Sequence, residues 1–149
     1  RPLYAAIMLF VTGGILLSTR FATNRHQGFT WRRALVVGLA QAAAIMPGIS
    51  RSGATISAGL HAGIEPSKAA EFSFLLAIPV IGGAALLKAK QLVNLPSELA
   101  SQYLIGGFVS FLVSLVAVYL VLAAVRRGKF EYFAYYCFAA GGVGLYLFL

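Results

Sequence analysis

The chain alternates long apolar runs with short polar intervals, and the run lengths predict its elements. Leu3 to Thr19 is apolar enough for a membrane span. At ~1.5 Å per residue it is slightly short for a ~30 Å hydrocarbon core, so Arg20 would snorkel at its end. Arg20 to Arg33 is a polar loop. Ala34 to Met46 is apolar, a polar motif interrupts, and Ile56 to Ile64 is apolar again. Glu65-Pro66-Ser67-Lys68 is a polar stop, with Pro66 suited to the first turn of a new helix. Phe72 to Leu87, extended backwards by Ala69 and Ala70, is the next run, and Lys88 to Ser101 reads as a loop. Tyr103 to Val125 is a long, clean span. Arg126 to Glu131 is a tight basic turn, and Tyr132 to Leu149 is the last span. Tyr132, Tyr135 and Tyr136 sit near one end of it, where aromatic belts lie.

The middle of the chain departs from this pattern. Neither Ala34–Met46 nor Ile56–Ile64 can cross alone, since each is well below ~17 residues. Together they predict a re-entrant helix–loop–helix over residues 34–64 that enters and leaves on one face. Charge placement tests this. With no net crossing there, the loops holding Arg20, Arg25, Arg32, Arg33 and Arg126, Arg127, Lys129 fall on one side, with Lys68. The other side holds Arg1, Lys88 and Lys90, with Arg51 inside. A single crossing would put the two basic loops in opposite compartments. The positive-inside rule therefore favours the hairpin, with both basic loops cytoplasmic and the C-terminus outward.

Composition agrees. Of 149 residues, 60% are hydrophobic and 11% charged, against about 25% charged in a soluble domain. That charge cannot cover a soluble domain's surface, and disorder requires low hydrophobicity. The net charge of +8 does not point to nucleic acid, because the basic residues flank apolar runs and form no single basic face. One cysteine, Cys137, lies in an apolar run, where a small buried hydrophobe is its ordinary role.

The interrupting motif is Pro47-Gly48-Ile49-Ser50-Arg51-Ser52-Gly53-Ala54-Thr55. Irregular backbone at membrane depth survives only where protein or water satisfies it. An arginine there costs ~2.5–3.5 kcal/mol on insertion scales, which makes it a functional-site candidate by default. Pro47 and Gly48 end the first helix, and Ser50 or Ser52 can cap the next. A helix N-terminus directs free N–H groups at anions. Arg51 adds a planar fork that matches phosphate oxygens in pairs. Ser52 and Thr55, three apart, would project from one side of a helix. The blander alternative is that Arg51 pairs with a carboxylate elsewhere and the serines are caps.

The motif resembles the Pro-Gly-x-Ser-Arg-Ser-x-x-Thr signature of bacterial undecaprenyl-diphosphate phosphatases of the bacitracin-resistance type. Gln41 ahead of it and Glu71-Phe72-Ser73-Phe74-Leu75-Leu76-Ala77-Ile78-Pro79 behind it are similar to the same family. The resemblance implies an inner-membrane enzyme, built from two inverted repeats, that removes the terminal phosphate of undecaprenyl diphosphate. This recycles the lipid carrier for peptidoglycan synthesis, cell-wall biogenesis and cell shape, and gives bacitracin resistance. It implies Arg51, Ser50 and Ser52 as catalytic candidates, and Gly48, Arg51, Ser52 and Thr55 as substrate contacts. A divalent metal, Mg or Ca, is implied by the resemblance alone, with its ligands unknown. Expected partners are the polyprenyl diphosphate, membrane lipid and, as an alternative to a monomer, a second copy in a homodimer. The family's first repeat carries a Glu-rich motif and a Ser/His loop that nothing here matches; Ile45 stands where a second glutamate would be expected. The chain thus looks like the C-terminal repeat of a larger enzyme.

The fold expectation is an all-α polytopic membrane protein. It is a single membrane domain over residues 1–149, with four spans and one re-entrant hairpin, half of an inverted-repeat architecture. The rival function is half of an inverted-repeat transporter for an anionic or lipid-phosphate substrate, since broken helices with anion-binding N-termini also mark transporters. His61 reads as a helix-end residue, too far along a helix from Arg51 to share a phosphate. His26 reads as solvated. Glu71 could pair with Arg51 or Lys68, contact a metal, or complement a helix dipole. The pairs Gly13-Gly14, Gly82-Gly83, Gly106-Gly107 and Gly141-Gly142 suggest close helix packing.

Overall fold

The computed structural model describes residues 2–22, 28–92 and 97–148. Every regular element among them is a helix: α1 Pro2–Ser18, followed by one 3-10 turn at Thr19–Phe21, α2 Trp31–Ala43, α3 Arg51–His61, α4 Pro66–Leu92, α5 Ser97–Arg126 and α6 Tyr132–Phe148. Among the described residues three stretches, Leu3–Phe21, Pro66–Ala89 and Leu99–Arg126, are long and apolar enough to cross a membrane. The chain is a helical membrane protein. At 17 residues, α6 measures about 26 Å.

Three boundaries differ from the sequence expectation. Helix α2 runs over Trp31–Ala43 rather than Ala34–Met46, so it begins inside the expected polar loop and stops before Pro47, where turns take over. The interval read as a loop over Lys88–Ser101 is largely helical, with α4 running to Leu92 and α5 starting at Ser97. Its Ala, Leu, Lys and Gln are good helix formers, and they outweigh the polarity that suggested a loop. The second half of the hairpin starts five residues early, at Arg51, because Ser50 caps it and draws the polar motif into the helix. His26 lies outside the described residues. Pro66 opens α4 as expected, and that helix continues through Pro79.

Helix α3 is the hub. It packs against α1, α2 and α4 and buries Gly53, Ala54, Thr55, Ile56, Ser57 and Gly59. The small residues on this helix allow close approach: a Cβ on Gly59 would lie 3.0 Å from that of Ala69. Ile56 joins Leu16, Ala70, Val125, Phe130 and Cys137 in the larger apolar core. Helices α1 and α6 form a second tight seam. There Gly141 admits the Phe10 ring, and Gly13 the Phe138 ring. A Cβ on Gly14, Gly82, Gly83, Gly106, Gly107 or Gly142 would meet nothing within 4 Å among the described residues, so the packing role holds for one member of two pairs.

The polar helix ends meet at one level. Ser18 Oγ, at the end of α1, lies 2.9 Å from His61 Nε2, at the end of α3. Arg126, ending α5, is 3.5 Å from Glu71, near the start of α4. Arg20 is 4.0 Å from Glu131, just before α6. The Phe29 and Phe72 rings pack edge to face at 4.7 Å, which brings the approach to α2 to the same level. Glu71 therefore pairs with Arg126, and with neither of the partners expected for it.

Candidate functional site

The break between α2 and α3 is a run of tight turns. Ile45 N–H donates to Ala42 O, Met46 N–H to Ala43 O and Ile49 N–H to Met46 O. Gly48 adopts φ +94°, a left-handed conformation that side chains rarely take. It also seats directly on α1: a Cβ there would lie 2.6 Å from Ala5 O and 2.7 Å from Met8 Cβ. Gly48 thus has a structural reason to be glycine.

Ser50 is the N-cap of α3. Its φ of −68° and ψ of 115° are extended, and its Oγ accepts from Gly53 N–H at 3.1 Å. Its hydroxyl is thereby committed to the helix. The N–H groups of Arg51 and Ser52, at the first two helical positions, have no acceptor among the described residues. These are the orphan donors that every helix start exposes. Ser52 Oγ is likewise without a partner there.

Arg51 is half-buried. Three carboxylates are engaged by other cations: Glu65 by Lys68 at 3.0 Å, Glu71 by Arg126 and Glu131 by Arg20. Among the described residues Arg51 has no ion-pair partner. The reading in which it pairs with a carboxylate has no support among them. Arg51 instead lines a cavity of about 550 Å³ with Ser52, Gly48, Ser73, Phe74 and Ala77. Ser52 also borders a second cavity, of about 380 Å³, on the other side of the loop, lined by Thr12, Ser50, Val121, Phe133 and Cys137.

Thr55 is fully buried. Its Oγ1 donates to Arg51 O at 2.9 Å and also meets Ser73 Oγ. Its place is beneath the first turn of α3, supporting it, and it lines neither cavity. His61 closes the far end of α3 as expected, hydrogen-bonded to Ser18.

Two residues of the site were given no role by the sequence reading. Thr12 in α1 donates its hydroxyl to Gly48 O at 3.0 Å and accepts from Ser50 N–H at 3.1 Å. Ser73 in α4 faces both Thr55 and the Arg51 cavity. The available signal was a hydroxyl inside an otherwise apolar run, a weak mark in membrane helices because such hydroxyls usually bond their own helix.

The residues at the break do not fit a divalent metal. Among the described residues no three His, Cys, Asp or Glu side chains come together, and the groups at the break are hydroxyls, amides and a guanidinium. That set offers an anion donors and offers a cation almost nothing.

The comparisons with known proteins converge. An undecaprenyl-diphosphatase from Salinibacter ruber is 44% identical over 147 residues, covering 98% of this chain and 54% of its own length. One from Desulfosudis oleivorans is also 44% identical, over 149 residues, with the same coverage. One from Korarchaeum cryptofilum is 42% identical over 135 residues, covering 89% of this chain and 50% of its own. The chain spans about half the length of the curated relatives it matches. A family profile described as bacitracin resistance protein BacA matches residues 1–143, and the chain belongs to that family.

Proposed function

We propose that this chain forms the phosphate-binding half of an enzyme that hydrolyses undecaprenyl diphosphate to undecaprenyl phosphate and inorganic phosphate. The observation that carries the reading is Arg51. It is a half-buried guanidinium without a counter-ion among the described residues, at the N-terminus of α3, beside two unpaired N–H groups and the free hydroxyl of Ser52. Desolvating such a charge is costly unless an anion satisfies it. A diphosphate would accept from the guanidinium in pairs and from the two amides. As charge develops on the leaving phosphate, these donors would stabilise it without reorganising.

The roles divide accordingly. Arg51 and Ser52 contact the phosphates, Ser50 caps the helix that presents them, and Gly48 permits the turn. Thr55 supports the first turn from below. The attacking group, and the acidic ligands of any Mg or Ca ion, would be supplied by sequence outside these 149 residues. The names of the relatives favour hydrolysis over transport.

The layout we favour is four spans with α2 and α3 as a re-entrant hairpin. Three observations support it. Helix α2 has 13 residues and α3 has 11, about 20 and 16 Å, too short to span. The ends of α1, α3 and α5 and the starts of α4 and α6 share one charged level. The break touches α1 at Thr12, about two turns in from that level. With the positive-inside rule, the charged level is cytoplasmic and the protein is a multi-pass inner-membrane enzyme. The mostly exposed apolar sides of α5 are the surface available to lipid and to a second copy in a homodimer.

The test is phosphate release from undecaprenyl diphosphate by the full-length protein, with and without Arg51→Ala. Release that collapses in a folded variant supports the reading. Absent release from the folded wild-type protein overturns it and returns transport as the alternative.

A further inference from the structure

Three hydroxyls show the common habit. Ser18 Oγ donates to Ile15 O at 2.6 Å, Thr19 Oγ1 to Leu16 O at 2.6 Å and Thr55 Oγ1 to Arg51 O at 2.9 Å. Each bonds its own chain three or four residues back, as helical Ser and Thr usually do. Thr12 does not. Its hydroxyl reaches across to the break between α2 and α3, donating to Gly48 O and accepting from Ser50 N–H. It is 1% exposed.

The two groups it holds flank Ile49, the residue just before the N-cap of α3. Fixing them fixes the Ile49 backbone and the peptide plane from which Ser50 takes up its extended conformation. That conformation aims the Ser50 hydroxyl at Gly53 N–H and sets the first turn of α3. The direction of the Arg51 and Ser52 N–H groups, and the starting point of the Arg51 side chain, follow from that turn. Gly48 seats on the same helix one to two turns away from Thr12, against Met8 and Ala5. Together these contacts make α1 the rigid wall against which the motif is registered.

We propose that Thr12 is a positioning residue for the phosphate site, acting through the Gly48–Ser50 backbone to hold Arg51 and Ser52 in register. The proposal rests on the phosphate-site reading above. It assigns a role to the first helix of this chain, which contributes nothing to the anion itself.

The experiment uses the full-length protein and measures kcat and KM for phosphate release from undecaprenyl diphosphate in detergent micelles, with thermal unfolding alongside. Thr12→Val keeps the shape and removes both hydrogen bonds; Thr12→Ser keeps both. A small misplacement of catalytic groups costs on the order of a hundredfold. The expected result is a loss of roughly ten- to a hundredfold in kcat/KM for Thr12→Val, mostly in kcat, with Thr12→Ser within about threefold of wild type. Adding Thr12→Val to Arg51→Ala should cost less than about threefold more, since there is then no guanidinium to place. Wild-type kinetics in folded Thr12→Val, or losses that simply multiply in the double variant, would overturn the proposal. If Thr12→Val does not fold, Thr12→Ala against Thr12→Ser carries the same comparison: a loss confined to Ala supports the tether, and equal activities overturn it. If Arg51→Ala releases phosphate as wild type does, the phosphate-site reading itself fails, and the tether with it.

Discussion

Thr55 and Ser73 join their hydroxyls at the buried crossing of α3 and α4, directly under the first turn that carries Arg51. Because Thr55 donates to Arg51 O, its oxygen is left to accept from Ser73. Thr55→Val should strand the Ser73 hydroxyl, which is 4% exposed, at a cost of about 1–3 kcal/mol. Removing both hydroxyls, with Ser73→Ala added, should cost less than the sum of the single losses. Thermal unfolding of the three variants in detergent checks this; additive losses would deny the pairing.

Arg51 predicts the opposite combination. It has no carboxylate partner among the described residues, so Arg51→Ala orphans no buried charge. Stability should stay within about 0.5 kcal/mol of wild type, or rise, given the cost of a half-buried guanidinium without a counter-ion among the described residues. Phosphate release should fall by roughly two to three orders of magnitude, the scale seen when a donor to a developing oxyanion is removed. Arg51→Lys should recover only part of this, because an ammonium keeps the charge and loses the paired geometry. A variant both unstable and inactive would make Arg51 a structural residue.

The sequence made this site legible because membrane burial exaggerates polar signals. A single Arg between two apolar runs too short to span stood out, while the break opened at Ala44, three residues ahead of the Pro47-Gly48 pair expected to end the helix. Glu71 was legible only as a carboxylate in need of a cation: which one depends on α5 returning beside α4, a non-local event. Thr12 was illegible for the same reason. Its hydroxyl looks like any other helical threonine until α1 is laid against the break. The small residues were half legible, since Gly141 and Gly142 are equivalent in sequence and only packing separates them.

Gly48 couples conformation and contact, so its substitution should be more damaging than an ordinary loop change. A methyl there must tolerate φ +94° and would sit 2.6 Å from Ala5 O, a backbone atom that cannot swing aside. Gly48→Ala should displace the turn from α1 and lose about 2 kcal/mol or more. Phosphate release should fall at least about tenfold, since the same displacement breaks the Thr12 hydrogen bonds. Unfolding and phosphate release measured on one preparation check both parts. A stable, active Gly48→Ala protein would mean that the turn is not held as described.

The seam between α1 and α6 gives a prediction whose sign reverses between neighbours. Gly→Ala in a helix interior normally stabilises by about 0.5–1 kcal/mol, because alanine loses less backbone entropy on folding. A methyl on Gly142 would meet nothing within 4 Å among the described residues, so Gly142→Ala should show that gain. At Gly141 the methyl would lie 2.9 Å from Phe10 Cε2 and 3.2 Å from Ala6 O. The ring can turn away; the carbonyl, fixed in α1, cannot. Overpacking of this kind costs about 1–3 kcal/mol, which exceeds the entropic gain, so Gly141→Ala should destabilise. Thermal unfolding of the two variants side by side decides it, and equal shifts would show that α1 and α6 do not meet as closely as this seam requires.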